Sequence, residues 1–348
     1  MNRIFILALV LNAFTLTSLA QHNVILQSDG ETTIFSSSNG FIDAYNAAVD
    51  GDTIYLPGLQ YSSPSPIEKR ITVYGTGYHP QHTQATGRTR INGFRFGEGS
   101  SGSHFEGMYV SSGIRLIGGL IEDITLKRMH VDAGISLNAS SVEFCEECNN
   151  IQITESVFHF FNGQYSEITN LQIFNNIICN QGGQILNINN TNPGVTNVAW
   201  ISNNVIIRNG ATLIGGVYNS LFENNIFIRH STSGFFSNYH GNTFRNNAFD
   251  FNPTTNEENS FENNYPSISR NAFFVDFPGA IYQPDNNYHI ENPETYLGTT
   301  GNQIGIYGGI SPFKENTRPT NPQIKAKDIS HSTNEEGKLS IEIEVEAQ

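Results

Sequence analysis

The chain repeats a short pattern in which one apolar residue, one variable residue and an Asn-Asn doublet precede another apolar run. The doublets are Asn175-Asn176, Asn203-Asn204, Asn224-Asn225, Asn246-Asn247 and Asn263-Asn264. The leading apolar residues, from Ile173 to Phe261, are separated by steps of 28, 21, 22 and 17 residues. Steps of this size match one coil of a parallel β-solenoid and are too short for a propeller blade. The pattern predicts that successive coils place the leading residues side by side.

The repeat extends upstream when the doublet is relaxed, with Phe105, Leu126 and Ile153 in the leading position. The longer steps predict loop insertions at Ser140–Asn150 and Gln181–Asn197. Inserted loops on one side of a solenoid commonly carry its function. The insertions are therefore the first places to search for a site.

The doublets are predicted to be structural, because Asn accepts the left-handed backbone of a sharp turn better than most residues. Stacked amides on successive coils can also form a hydrogen-bonded ladder. The position just before each doublet should face away from the core and form an outward charge ladder, worth a few tenths of a kcal/mol per exposed pair. Its members are Glu106, Lys127, Thr154, Phe174, Ser202, Glu223, Arg245 and Glu262.

The segment before the repeats predicts one short helix and two strands. Gly40–Val49 holds Phe41 and Tyr45 at helical spacing and is followed by Asp-Gly-Asp as a stop. Thr53–Leu56 and Ile71–Tyr74 are apolar runs that end at Pro-Gly and Gly-Thr-Gly, which is typical of strands.

Two segments of this region resemble the start of pectin-lyase-like right-handed parallel β-helix proteins. Ala47–Tyr61 contains Ala-Ala-x-x-Gly-Asp-Thr-Ile-x-Leu-Pro-Gly-x-x-Tyr, and Ile71–Gly77 contains Ile-Thr-Val-x-Gly-x-Gly. The resemblance implies an all-β fold, a single right-handed parallel β-helix over residues 21–310. In that family an N-terminal capping α-helix plugs the open end of the solenoid, which would otherwise expose apolar core.

The C-terminal part is predicted to be a linker and a β-hairpin, residues 311–348. Past Gly301 the repeat is lost among prolines, which indicates an exit linker. Ile324–Ile329 and Lys338–Ala347 alternate apolar and polar residues and predict a hairpin. Such a hairpin would cover the last coil, the favoured interpretation, or present an edge to another chain.

The chain's first residues and its charge indicate where it acts. Residues 1–20 combine one cation, a short apolar stretch and small residues at the end, which is typical of a secretory signal peptide. We therefore expect a secreted or periplasmic protein without membrane insertion. A net charge of −14 argues against nucleic-acid partners.

Three cysteines are too few for a disulfide scaffold. For Cys145 and Cys148 a local loop disulfide, or two ordinary thiols, is favoured over redox chemistry. The pairing of Cys179 stays open, and no set of metal-ligating residues with zinc spacing is evident.

The strongest candidate catalytic cluster is Lys127, Arg128 and His130, with Asp132 following and Glu106 one coil away. A lyase acting on an acidic polysaccharide needs a base and a cation or metal that neutralises the uronate carboxyl group. The pectin-lyase-like resemblance implies clustered Asp with calcium, but this chain has only scattered Asp, so no cofactor is identified from the residues. The alternative interpretation of the cluster is a charged strand and turn.

Arg208, Arg229 and His230 form the candidate binding cluster. Arg208 and Arg229 each lie seven residues after a leading apolar residue and should stack on neighbouring coils. Stacked like charges repel, so they either point into solvent or bind an anion.

Two functions follow as expectations. The first is a secreted noncatalytic β-helix that binds extracellular polysaccharide, a cell-surface glycan or another cell-surface partner. The alternative is a polysaccharide lyase or glycoside hydrolase acting on acidic glycans. The first is preferred because no complete proton-transfer and charge-neutralising set can be assembled from the motifs.

Overall fold

The computed structural model describes residues 23–180, 182, 184–188, 198–208, 214–229, 236–277, 279–330 and 332–346. The predicted signal peptide, most of the Gln181–Asn197 insertion and the candidate His230 lie outside the described residues.

The described elements follow one another as short strands with two helices. The first part comprises β1 (Val24–Ser28), β2 (Glu31–Phe35), α1 (Gly40–Ala47), β3 (Thr53–Tyr55), β4 (Gln60–Tyr61), β5 (Thr72–Tyr74), β6 (Arg90–Ile91), β7 (Phe94–Phe96), a 3-10 turn (Glu98–Ser100), β8 (His104–Val110), β9 (Ile114–Leu116), β10 (Gly118–Glu122) and β11 (Thr125–Ser136). The middle part comprises β12 (Cys145–Asn149), β13 (Gln152–Thr154), β14 (Val157–Asn162), β15 (Glu167–Thr169), β16 (Leu171–Phe174), β17 (Ile177–Asn180), β18 (Leu186–Ile188), β19 (Ala199–Ser202) and β20 (Val205–Arg208). The last part comprises β21 (Ile214–Tyr218), β22 (Leu221–Glu223), β23 (Ile226–Arg229), β24 (Phe236–His240), β25 (Thr243–Arg245), β26 (Ala248–Phe249), β27 (Ser260–Glu262), α2 (Arg270–Phe273), a 3-10 turn (Pro293–Thr295), β28 (Gln323–Ile329) and β29 (Ile341–Glu346).

The strands stack as a parallel β-solenoid, and the predicted register is confirmed at every step. The leading residues pair directly in the order Phe105, Leu126, Ile153, Ile173, Ile201, Phe222, Phe244 and Phe261. All but Phe261 are fully buried, and the phenylalanine rings of the last three stack 4.7 and 4.8 Å apart. The interior is therefore a column of apolar side chains one coil apart.

The N-terminal end is closed as the sequence predicts, with one addition. Helix α1 buries Phe41, Ala44 and Tyr45 in the interior core and contacts β1, β2 and β3. The hairpin of β1 and β2 was not predicted, and β1 pairs antiparallel with β3. The hairpin thereby covers the edge of the first coil.

The two residues of each Asn doublet have different functions. The first Asn is left-handed in every repeat, with φ between 50° and 59°. Gly107, Arg128 and Glu155 take the equivalent left-handed position in the upstream coils, with φ of 75°, 50° and 50°. The predicted turn function is thus confirmed for the first residue of the pair.

The second Asn of each doublet, buried in the first four and half-buried at Asn264, forms the predicted amide ladder. Its Nδ2 donates to the Oδ1 of the next coil's Asn, from Asn176 through Asn204, Asn225 and Asn247 to Asn264, at 2.9–3.1 Å. Each Oδ1 also accepts the backbone N–H of the residue one coil earlier, at 2.8–2.9 Å. A buried amide with all its groups paired stabilises the turn without leaving polar atoms unsatisfied.

Residues 266–322, named here the return segment, correct the prediction of an exit linker. After the last coil the chain runs back along the solenoid, and the first Asn of the first four doublets binds it. Asn246 contacts Leu297, Asn224 contacts Thr299, Asn203 contacts Gly305, and Asn175 donates to the carbonyls of Ile306 and Gly308. The contact continues at Gly107, where a Cβ would lie 2.5 Å from Pro319 Cγ. The return segment, which has no repeat pattern of its own, is therefore bound by the turn residues of the repeated coils.

The return segment also covers one outer face of the solenoid and creates a second apolar core. Strands β20 and β23 are apolar on both faces, with Ile206 and Phe227 inside and their neighbours outside. The outer face packs against the return segment through the following buried residues: Val205, Ile207, Ile226 and Ile228 from the strands, and Phe273, Phe274, Tyr288, Ile306 and Phe313 from the segment. Burial on both faces explains why these strands read as continuous apolar runs.

The predicted outward ladder is wrong at three of its positions, since Ser202 is 5% exposed and two of the acidic members are also buried. Glu106 is fully buried and Glu223 is 5% exposed. Glu106 is enclosed because the return segment lies over it, while Glu223 pairs with Arg245 at 2.8 Å.

The C-terminal hairpin forms as predicted but lies elsewhere. β28 and β29 pair antiparallel. Ile324 lies near Tyr55 and Tyr74, at the first coils, because the return segment has carried the chain back there. The favoured prediction that the hairpin covers the last coil is therefore wrong, and its exposed strands leave the alternative of an edge open.

The Ser140–Asn150 insertion is not only a loop. It contains β12, which pairs in parallel with β10 and β15 in a separate three-stranded sheet. Cys145 and Cys148 form the predicted local disulfide, and Cys179 is a buried free thiol. None of the described helices is long and apolar enough to span a membrane.

Candidate functional site

Lys127 and Arg128 belong to a buried ionic cluster with two carboxylates. Arg128 Nε donates to Glu155 Oε2 at 2.8 Å, and Arg128 Nη1 lies 3.7 Å from Glu106 Oε1. Lys127 Nζ lies 3.5 Å from Glu155 and 3.9 Å from Glu106. Arg128 is only 3% exposed, so its charge is held inside the protein by these partners.

The return segment completes this ionic cluster. Thr320 donates to Glu106 through its backbone N–H and hydroxyl at 3.1 and 3.0 Å, and Ser311 donates to Glu155 at 3.2 Å. Burial opposes ionisation of Glu106, but the hydrogen bond from His104 and the charges of Lys127 and Arg128 outweigh it and lower its pKa. The cluster joins the coils to the return segment. A catalytic role for Lys127 and Arg128 stays a prediction.

His130 is separated from that cluster by a turn. Arg128 has a φ of 50°, so the chain changes direction between Lys127 and His130, and the two side chains lie on different faces. The His130 ring packs edge-on against Tyr78, Tyr109 and Tyr282 at centroid distances of 5.4, 5.2 and 5.1 Å. Burial lowers the pKa of His130 to about 4, so the ring is neutral at pH 7.

His130 forms part of a cavity of about 510 Å³ between the outer face of the solenoid and the return segment. We name it the outer cleft. Its solenoid side is formed by Arg88, Tyr109, His130, Asp132, Val157, His159, Cys179 and Asn180, and its other side by residues 280–284. Side chains from five successive coils thus converge under one loop.

The polar groups of the outer cleft are partly linked. The Tyr109 hydroxyl donates to Asp132 Oδ2 at 2.8 Å, and the Arg88 guanidinium lies 4.8 Å from the Tyr109 ring centroid. Burial and the hydrogen bond to Asp132 raise the pKa of Tyr109, so this phenol is protonated at neutral pH. Burial also raises the pKa of the Cys179 thiol to about 12, which makes it a poor nucleophile.

A second cavity of about 320 Å³, the corner pocket, adjoins the outer cleft at Asn180, which lines both. Its other described lining residues are Phe160, Phe161, Asn162, Gln164, Gly182, Gln184 and Asn187. Five of its side chains are amides and two are aromatic. Amides offer donors and acceptors together, which suits a ligand rich in hydroxyl groups.

The predicted stacking of Arg208 and Arg229 is confirmed, and the column also contains Asn180. Arg229 lies over the Phe251 ring at 4.4 Å and its backbone N–H donates to Asp250 at 2.8 Å. Arg208 is 3% exposed, so it does not point into solvent. The binding role of both residues stays a prediction.

The structure offers no described metal centre. Within the described ranges, no group of three or more His, Cys, Asp or Glu side chains is arranged to hold a metal ion. Calcium therefore remains an expectation that rests only on the resemblance of the N-terminal segment.

Sequence reasoning missed most of the outer cleft. Arg88, Tyr109 and His159 were not selected, although Tyr109 pairs directly with His130 in the register of β8 and β11. Extending the aligned columns to the second strand of each coil would have found Tyr109. The loop that closes the cleft carries no signal of this kind, because it belongs to the return segment.

Comparison with protein-family models, with curated proteins and with solved structures finds no match for this chain.

Proposed function

We propose that this protein is a secreted, noncatalytic β-solenoid that binds an acidic extracellular polysaccharide along the outer cleft and the corner pocket. The observation that carries the proposal is the junction at Asn180, where the aromatic cleft meets the amide-lined pocket. An elongated ligand can occupy both.

The lining suits a saccharide. Sugar rings present apolar faces that pack on aromatic side chains and hydroxyl edges that need paired donors and acceptors. Tyr109 and Tyr282 supply aromatic surface in the cleft, and Phe160 supplies it in the corner pocket. Asn162, Asn187 and their neighbours supply amides.

Arg88 gives the preference for an acidic sugar. It is the one arginine among the described lining residues of the outer cleft, and the carboxylate there, Asp132, already accepts a hydrogen bond from Tyr109. A guanidinium forms strong charge-assisted hydrogen bonds with a carboxylate. A uronate group beside Arg88 therefore gains more than a neutral sugar does.

Hydrolysis is the less suitable chemistry for this cleft. Glycoside hydrolases use two carboxyl groups at a set separation, and Asp132 is the only carboxylate among the described residues that line the cleft. Elimination is the second candidate function, because the protonated Tyr109 can donate a proton to a leaving oxygen while Arg88 neutralises a uronate. The His159 ring would accept the proton removed from the sugar.

The test is calorimetric titration of the mature chain, from Gln21 onward, with uronate oligosaccharides and neutral oligosaccharides of equal length. Arg88→Gln should weaken uronate binding about tenfold or more, because a hydrogen bond to a charged group is lost. Arg115→Gln, which removes an exposed arginine outside both cavities, is the matched control.

Two results would contradict the proposal. One is the absence of binding to every oligosaccharide tested, and the other is equal weakening by Arg88→Gln and Arg115→Gln. Unsaturated-uronate absorbance that His159→Ala abolishes would replace noncatalytic binding by elimination.

A further inference from the structure

Arg208 is a buried cation with two nitrogens that no described residue pairs. The side chain is 3% exposed, and its Nε and Nη1 atoms are fully buried with no hydrogen-bond partner. Guanidinium groups stay protonated in proteins. A buried, unpaired charge costs several kcal/mol, so native structures pair almost all of them. An external anion would remove this cost.

The position of Arg208 in β20 places it at a corner of the solenoid. Ile206 faces the interior core, while Val205 and Ile207 face the return segment. Because side chains alternate along a strand, Arg208 leaves β20 on the interior side at its last residue. Phe251, on which Arg229 packs one coil later, likewise belongs to the interior core.

No carboxylate among the described residues pairs with Arg208. Asp250 is the carboxylate of this region, and it accepts the Arg229 backbone N–H at 2.8 Å and lies 3.2 Å from Arg270. Burial alone lowers the pKa of Arg208, and no acidic group contributes to that shift. The neighbouring segments 181–197, 209–213 and 230–235 contain neither Asp nor Glu. An anion at Arg208 must therefore come from outside the chain.

The neighbours of Arg208 favour an oxyanion. Arg229 pairs directly with it on the next coil and Asn180 on the previous one, about 4.8 Å away across parallel strands. Two guanidinium groups and an amide in one column present several N–H donors. The planar guanidinium matches carboxylate and sulfate oxygens.

We propose that Arg208 is an oxyanion site that takes the carboxylate or sulfate group of a saccharide held in the corner pocket, reached through Asn180. This inference rests on the proposed function and deepens it. It assigns the acidic substituent to the corner, one coil beyond the pocket, and so gives the bound saccharide a direction along the solenoid axis.

The first experiment measures thermal unfolding with sodium sulfate and with sodium chloride at equal ionic strength. Sulfate should raise the unfolding temperature of the wild type above its value in chloride, since a ligand bound only to the native state stabilises it. Arg208→Gln should lose this difference and Arg208→Lys should keep part of it. Without sulfate, Arg208→Gln should be at least as stable as the wild type. Arg245→Gln, at a surface ion pair, is the control and should keep the full sulfate effect.

An equal sulfate effect in the wild type and Arg208→Gln would overturn the oxyanion site. So would a large loss of stability in Arg208→Gln without sulfate, since that would show a partner inside the protein.

The second experiment separates a saccharide substituent from a free ion. Acidic and neutral oligosaccharides of equal length are titrated against the wild type and Arg208→Gln. Tighter binding of the acidic ligand in the wild type that is reduced in Arg208→Gln, as it is in Arg88→Gln, but kept in Arg115→Gln supports the saccharide substituent. Equal preference for the acidic ligand in the wild type and Arg208→Gln would overturn the assignment of the anion to a saccharide substituent. A free inorganic anion would then be the ligand of Arg208. If no oligosaccharide binds, the proposed function fails, while the sulfate experiment still decides on Arg208.

Discussion

Arg128 and Arg208 are buried to the same extent, 3% exposed each, but their surroundings are opposite. Arg128 donates to Glu155, lies near Glu106 and donates to the Arg318 carbonyl of the return segment. The Nε and Nη1 atoms of Arg208 are fully buried and have no acceptor among the described residues. Both residues are candidate functional residues by sequence, and burial alone does not distinguish them.

The difference lies in where the counter-charge comes from. Around Arg128, carboxylates of neighbouring coils and the return segment complete the pairing within one molecule. Around Arg208 the segments 181–197, 209–213 and 230–235 contain no acidic residue, and Asp250 is engaged by Arg229 and Arg270. A buried cation that is paired within the protein stabilises the fold, whereas a buried cation that lacks a counter-charge is suited to binding a ligand. Substitutions at the two arginines should therefore affect stability in opposite directions.

The largest effect is expected for Arg128→Met. The substitution leaves Glu155 and Glu106 buried with reduced compensation, and removing one partner of a buried ion pair costs about 3–5 kcal/mol. Urea unfolding measures the loss, with Arg208→Met as the matched control that should lose nothing. A loss below about 1 kcal/mol for Arg128→Met would mean that the ionic cluster does not stabilise the fold.

The amide ladder gives the second largest expected effect. Asn225→Ala removes the acceptor of the Asn204 backbone and side chain and a donor to the Ile201 carbonyl and to Asn247. Each buried group left unpaired costs about 1–3 kcal/mol, so we expect a loss of roughly 2–4 kcal/mol in urea unfolding. Asn263→Gly, which changes an exposed left-handed Asn of the last doublet, is the control and should cost far less. Similar losses in both variants would contradict a special role of the ladder.

The buried His130 predicts that the unfolding free energy depends on pH. Its pKa falls from 6.5 to about 4 on folding because burial disfavours the charged form, although Asp132 partly opposes this. Between these values the unfolded chain binds a proton that the folded chain does not, so the unfolding free energy decreases as the pH falls from 6.5 to 4. His130→Gln should flatten this part of the stability profile. The exposed His240→Gln should not, and an unchanged slope in His130→Gln would show that other groups cause it.

The smallest effect is expected for Arg245→Gln. Arg245 pairs with Glu223 at 2.8 Å but is itself 38% exposed, and the buried Glu223 keeps the hydrogen bond from Trp200 Nε1 at 3.0 Å, so we expect a loss of about 1 kcal/mol. The same urea titration should place this variant between Arg128→Met and Arg208→Met. A loss as large as that of Arg128→Met would remove the distinction between a solvated pair and an enclosed one.

The register of the solenoid could be predicted from sequence because each coil repeats the same turn and the same leading residue. The return segment could not, since it meets the repeats through backbone carbonyls such as those of Leu297 and Ile306, which any residue provides. For the same reason the charge column was assigned to solvent, although Glu106 lies beneath Thr320.

The candidate site was predictable only in part. Stacking of Arg208 on Arg229 follows from equal spacing in the repeat. Lys127 and His130 are close in sequence but are divided by the left-handed turn at Arg128, a conformation that Arg rarely adopts. The roof of the outer cleft comes from residues more than one hundred positions later in the chain, which local patterns do not reveal.

The return segment also has a consequence for cooperativity. A solenoid alone is quasi-one-dimensional, because each coil contacts only its neighbours and can fray from either end. Here one segment touches the coils of Asn246, Asn224, Asn203, Asn175 and Gly107 in turn. It can dock fully only after all these coils have stacked, so its docking reports a complete solenoid. We therefore expect the coils to unfold together in a single transition, because the return segment links all of them.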